Sequence, residues 1–164
     1  RSLVTADLDA YNVIVIGSGA HKNYPSLKFM KGRFEDYLRR GGSLAILGQP
    51  EDWPGEVFPV SFVATREVVT VDELTNRIPE ARVLSRPYSI SEKNLLSSFY
   101  RQTEVSPGVI SPAERVLVTP KGATLLSVTR IGDGQIIFCG LPLLEMVTRL
   151  DIDAIHLLAN ILNY

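Results

Sequence analysis

The sequence predicts an α/β fold: a layered, mostly parallel central sheet flanked by helices, with an antiparallel hairpin near its C-terminal end. Three observations predict it. Between residues 12 and 48, two short apolar runs enclose a stretch of helical period. A Gly-Asp-Gly turn at 132–134 joins two further apolar runs. A last stretch of helical period closes the chain at 153–164. Strand, helix and strand with short joints make a right-handed parallel crossover, and domains collecting such units are layered.

Each element follows from its residues. Asn12-Val13-Ile14-Val15-Ile16-Gly17 is β-branched and closed by glycine, as a strand buried on both faces reads. Leu27, Met30, Phe34, Tyr37 and Leu38 then recur on one helical face. Pro25 and Ser26 suit the first turn of that helix, Arg39 and Arg40 suit its last, and Gly41 suits a left-handed stop. Residues 43–48 form a second buried strand. The β-branched runs of 57–71, broken by Pro59, predict one or two short strands. Ser91 can cap a brief helix through Phe99. Prolines 79, 87, 107 and 112 predict long connections, which bind ligands or cover a sheet edge. Residues 124–131 and 135–140 make the hairpin. Asp151 or Asp153 caps the last helix, with Ile155, Leu158, Ala159 and Leu162 turned to the core.

Composition bounds the function. The 164 residues fit one domain, and 45% apolar content supports a packed core. Net charge is −1 from 17 basic and 18 acidic side chains, with no basic run that would neutralise phosphates, so nucleic acid is not an expected partner. No apolar stretch has the length to cross a bilayer. One cysteine excludes an internal disulfide and a cysteine-rich metal site, and leaves the compartment open. The chain starts at Arg1 with no signal-like segment, which reads as a piece of a longer polypeptide. There is no internal repeat.

Three stretches in order, YNVIVIGSG, FEDYLRRGGSLAILG and GDGQIIFCGLPL with DAIHLLANILNY, resemble the class I glutamine amidotransferase-like superfamily. The nearest flavour is that of domains fused to larger bacterial proteins, including carbohydrate-active enzymes and deacetylases. The resemblance covers about half the chain and implies a flavodoxin-like layered fold. In catalytic members a cysteine stands at a strained elbow after the second strand, and a histidine and glutamate follow a late strand. The thiolate needs that base, and the tetrahedral intermediate needs preorganised N–H donors. Carried onto this chain, the elbow falls at Leu47-Gly48-Gln49 and the late dyad near Cys139-Gly140-Leu141-Pro142. Neither holds the required groups; only the glycine turn Gly17-Ser18-Gly19 persists.

The remaining candidates lie on two loops. Gly17-Ser18-Gly19-Ala20-His21 invites a dinucleotide reading, but Lys22 stands where the third glycine belongs and no acid follows the next strand, so no cofactor is expected. Exposed N–H groups there suit a small anion better. His21 lies at the carboxyl end of the first strand with Ser18 near in sequence; a solvated loop histidine is the plainer reading. Gln49, Glu51, Asp52 and Trp53 face the same expected crevice. Trp53 could stack on a sugar whose hydroxyls Glu51 and Asp52 accept, or could pin the loop by packing, its N–H on a carbonyl. Adjacent carboxylates suit paired-acid hydrolysis poorly. Cys139 reads as a buried, inert core residue and His156 as helix surface. Two distant histidines make no zinc site. Lys28, Lys31, Arg33, Glu35, Asp36 and Arg39 read as a solvated helix face.

The expected function is a non-catalytic, amidotransferase-like accessory domain that is structural, oligomerising or ligand-sensing. Its partners would be other domains of its own polypeptide, a second copy, or a small polar ligand or sugar. Two alternatives remain open: a hydrolase using Ser18, His21 and a carboxylate from 49–53, and a carbohydrate-binding unit centred on Trp53.

Overall fold

A computed structural model of the chain describes residues 3–54, 56–70, 74–78, 80–90 and 103–164. The helix expected at 91–99 lies outside them. The N-terminal crossover forms, but the helix expected to start at Pro25 and Ser26 starts at Lys31, after an unexpected short helix and a 3-10 turn: β1 (Val13–Ile16), the short α1 (Ala20–Asn23), the 3-10 turn (Pro25–Phe29), α2 (Lys31–Arg39) and β2 (Ser43–Leu47). Leu27, Met30, Phe34, Tyr37 and Leu38 are all buried. Each large apolar side chain so buried stabilises the fold by roughly 1.5–3 kcal/mol, which is why the stripe fixes the face of α2. Gly41, at φ 94, stops the helix.

The middle holds the two short strands expected within 57–71, and beyond them departs from the expectation of long connections. It supplies β3 (Ser61–Ala64), β4 (Glu67–Val69), β5 (Thr75–Asn76), the short α3 (Arg82–Ser85), β6 (Thr103–Val105), β7 (Gly108–Ser111) and β8 (Glu114–Val118). After it come β9 (Thr124–Ile131), β10 (Gly134–Cys139), α4 (Leu143–Thr148) and α5 (Ile152–Leu162). The main sheet among the described residues runs β1-β2-β10-β9-β7-β3, with β8 on β9 and β5 on β8, while β4 and β6 pair separately.

That order corrects the mostly parallel sheet. Among the described residues only β1 with β2 and β2 with β10 are parallel; β10–β9, β8–β9, β7–β9, β3–β7 and β5–β8 are antiparallel. The reason is chain length between strands. A parallel pair needs a crossover of a dozen residues or more, whereas β9 reverses into β10 through Gly132 and Asp133 alone. The strand β1 is also corrected: it lies at an edge, and Val15 is 43% exposed, so it is not buried on both faces.

The core has two parts, one on each side of β2 and β10. Leu44, Ile46, Ile136 and Phe138 pack with the α2 residues Phe34, Tyr37 and Leu38. Their neighbours Ala45, Leu47, Ile137 and Cys139 pack with Ala154, Leu157 and Ile161 of α5. This alternation is the period of two of a strand covered on both faces. The hairpin turn at Gly132-Asp133 joins β9 to β10, with Ile131 opposite Gly134 and Gly132 at φ 59.

The last helix begins where expected, with Asp151 Oδ1 accepting from the Ala154 N–H at 2.8 Å. Its face does not follow the expectation. Ala154, Leu157 and Ile161 are buried, whereas Ile152, Ile155 and Leu162 are exposed and Leu158 and Ala159 are half-buried. The sequence IDAIHLLANIL is apolar on nearly every side, so its period does not select a phase. Asn160 shows what does. It is fully buried; its Nδ2 donates to Val83 O at 3.0 Å and Tyr88 O at 2.8 Å, and its Oδ1 accepts from Tyr88 N at 2.9 Å. A polar side chain stays on the inner face because the segment beside α3 satisfies it. His156, expected on the surface, is half-buried and stacks on Tyr88 with ring centroids 4.4 Å apart.

Among the described residues, no helix is long and apolar enough to cross a membrane.

Candidate functional site

The carboxyl ends of β1, β2 and β10 meet at one edge, where open α/β sheets bind ligands. A glutamine divides this edge. Gln49, the second residue after β2, is fully buried. Its Nε2 donates to Ile16 O at 3.3 Å, to Gly17 O at 3.1 Å and to Leu47 O, while its Oε1 accepts from Gly19 N at 3.2 Å. Strand ends leave backbone groups without ladder partners, and one amide here serves both β1 and β2. The side chain expected in an open crevice is therefore a tie between two strands.

On the β1 side of Gln49 the predicted loops close on each other. Trp53 is 6% exposed, stacked on Phe58 at 5.4 Å and met edge-on by His21 at 5.0 Å. The indole presents no open face, which removes the sugar platform expected there. Packing is its role, as the plainer reading held, but its N–H finds no acceptor among the described residues. The imidazole of His21 is not solvated: its side chain is 14% exposed, and Nδ1 is buried without a partner among the described residues. Nε2 lies 3.6 Å from Asp52 Oδ1. The exposed Asp52 also pairs with Lys22 Nζ at 3.0 Å, and that hydrogen bond holds its carboxyl below the usual carboxylate value. Glu51 is exposed on the same turn. Ser18 is exposed, and among the described residues no hydrogen bond joins it to His21. The nucleophile–base pair required for a relocated hydrolase is thus not assembled.

On the β10 side a crevice of about 400 Å³ stays open, lined by Ser18, Gly48, Glu104, Ser106, Gly140 and Glu145 among others. It owes its shape to the backbone after β6. Ser106 N donates to Gly140 O at 2.8 Å, laying that segment across the ends of β2 and β10. A Cβ on Gly140 would stand 2.4 Å from Ser106 O, and one on Gly48 2.9 Å from Ser106 Cβ, so both positions require glycine. The two carboxylates are matched by cations: Glu104 by Arg66 Nε at 2.9 Å, Glu145 by Arg149. Sequence reasoning missed Glu104, Ser106 and Glu145. The glycines ending two buried strands were the signal for a close crossing there.

The corner after β2 carries Leu47, Gly48 and Gln49, none of which is a nucleophile. Cys139 lies within β10, fully buried, and burial pushes its thiol up to about 12, so the thiolate is suppressed at neutral pH. Among the described residues no group of three or more histidines, cysteines or acids could hold a metal ion. A second cavity, of about 650 Å³, opens at the opposite, amino end of the parallel strands, beside Asn12, Ser43 and Tyr164.

The fold class that strand order and core define is α/β with a mixed sheet. Among the solved structures that are similar along most of the chain, two come from Salmonella typhimurium. The cytoplasmic protein STM1381 from Salmonella typhimurium LT2 is 16% identical, covering 94% of this chain and 72% of that one, with a TM-score of 0.59. The cytoplasmic protein STM3548 from Salmonella typhimurium is 16% identical, covering 95% and 72%, with a TM-score of 0.56. A β-galactosidase from Bacillus circulans sp. alkalophilus is 13% identical, covering 96% of this chain and 23% of that one, with a TM-score of 0.48. No family model and no curated protein sequence matches the chain. The likeness to the two Salmonella proteins is one of fold.

Proposed function

We propose that this chain is a non-catalytic, amidotransferase-like α/β module of a larger polypeptide, with a flavodoxin-like layering of helices about its parallel strands. It would serve its neighbouring domains, or a second copy, as a structural or ligand-sensing unit. One observation carries the reading: Gln49 fills the corner after β2 and spends its amide on the ends of β1 and β2. A side chain so committed is part of the scaffold, and an amide has no nucleophilic electron pair to offer. The buried Cys139 and the exposed, unassisted Ser18 support the same reading.

The test combines turnover and thiol reactivity. The chain is incubated with glutamine and with p-nitrophenyl acetate, and separately with a disulfide reagent that colours on reaction. We expect no hydrolysis above buffer, and thiol release only when denaturant unfolds the protein. Hydrolysis that disappears in Cys139→Ala or Ser18→Ala overturns the reading.

A further inference from the structure

The larger cavity, about 650 Å³, lies where the 3-10 turn Leu8–Ala10, the starts of β1 and β2, and the ends of α2 and α5 converge. Its volume is that of a small-ligand site. Three properties of its lining select the ligand class.

Charge cancels first. Asp9 Oδ1 accepts from Arg40 Nε at 3.3 Å and from Nη2 at 2.9 Å, so an anion meets the carboxylate and a cation meets the guanidinium. A charged ligand would lose hydration with no net attraction in return. Hydrogen-bonding capacity, in contrast, is unspent. The side chains of Tyr11, Asn12 and Tyr164 make no hydrogen bond with the described residues. Asn163 donates from Nδ2 to Ala159 O at 2.7 Å and keeps its carbonyl oxygen. Tyr37 and Ser43 are engaged already: the Tyr37 hydroxyl accepts from Ser43 N and donates to Tyr11 O, both at 3.1 Å, and Ser43 Oγ accepts from Gln135 Nε2 at 3.2 Å. Aromatic surface is present as well: Tyr11 is exposed, and Tyr164 is half-buried with the Arg82 guanidinium 5.2 Å from its ring centroid. Neutral donors and acceptors beside aromatic rings match a molecule with many hydroxyls and apolar C–H faces.

We propose that this amino-end cavity binds a neutral sugar, with Asp9, Asn12 and Asn163 taking its hydroxyls and Tyr11 and Tyr164 its apolar face. The site is separate from the carboxyl-end crevice and from the buried Trp53.

The test is an amide-resolved NMR titration of the 164-residue chain with the methyl glycosides of glucose, galactose and mannose. Glucuronate and glucosamine serve as charged counterparts. Saturable shifts with at least one neutral glycoside are expected, clustered at 9–13, 40–43 and 162–164. Both charged sugars should bind about tenfold more weakly. Asn12→Ala and Tyr164→Ala, checked for an unchanged amide spectrum elsewhere, should each weaken binding about tenfold. No saturation up to about 50 mM, far above the dissociation constant of a millimolar site, overturns the proposal. So do shifts centred on Ser18, Gly48 and Ser106, or charged sugars binding as tightly as neutral ones. None of these outcomes depends on the carboxyl end being catalytically inert.

Discussion

The two sides of Gln49 use similar residue types to opposite ends. On the β1 side, imidazole, indole and carboxylate from two loops turn toward one another, and Trp53 is sealed between His21 and Phe58. On the β10 side, hydroxyls and carboxylates stand around an open crevice held by glycines on which a crossing backbone rests. The difference teaches that polar side chains after a strand do not themselves make a site. Where a large apolar group lies among them, burial draws them together and closes the space. Where backbone lies against backbone, no side chain fills the gap, and space remains.

The comparison makes the sealed side a matter of stability and the open side nearly neutral. The largest expected effect is that of Trp53→Ala, which empties the space between His21 and Phe58 and should cost about 3–5 kcal/mol in urea unfolding. Ser18→Ala, on the open side, should stay within about 0.5 kcal/mol. Equal losses from the two variants would break the comparison. A smaller loss, about 1–3 kcal/mol, is expected for Gln49→Leu, which fits the space but leaves the carbonyls of Ile16, Gly17 and Leu47 without their donor. Gln49→Glu sharpens the point: at neutral pH a carboxylate brings charge and no donor to the same carbonyls, so it should unfold more readily than Gln49→Leu.

The legibility of the molecule divides along physical lines. The first crossover was legible because α2 carries a charged face that fixes which side is buried, and the hairpin because Gly132-Asp133-Gly134 states its own turn. The phase of α5 was not legible: its choice depends on what Asn160 meets at Val83 and Tyr88, more than seventy residues away in sequence. The short strands expected within 57–71 are β3 and β4, but the rest of the middle was hidden for a related reason. β5 to β8 are two to five residues long, too short to show a period, and even the pairing of Ser61 with Ser111 spans fifty residues of chain. The site inherits both outcomes. The loops after β1 and β2 were correctly located as one edge, whereas Glu104 and Ser106 come from the illegible middle. The role of Gln49 depended on which carbonyls end β1 and β2 beside it, a matter of register that residue types do not carry.

The smallest effect concerns Asp52, the exposed rim of the sealed side. Its carboxyl is held below the ordinary value first by the hydrogen bond from Lys22, with weaker attractions from Lys22 and His21. A carboxylate whose folded value is depressed adds stability above its unfolded value, near pH 3.9, and loses it as pH falls through the folded value. Lys22→Ala should therefore raise the Asp52 midpoint toward the ordinary value in a carboxyl-carbon NMR titration, and should flatten the part of the acid-unfolding curve below about pH 4. Because Asp52 is fully solvated, the shift should shrink in 0.5 M salt, where surface charges are screened within about 5 Å. The salt series separates the rim from the seal. If the titration of Asp52 is unmoved by Lys22→Ala, the ion pair does not exist in solution, and packing of His21 against Trp53 is left to close that side alone.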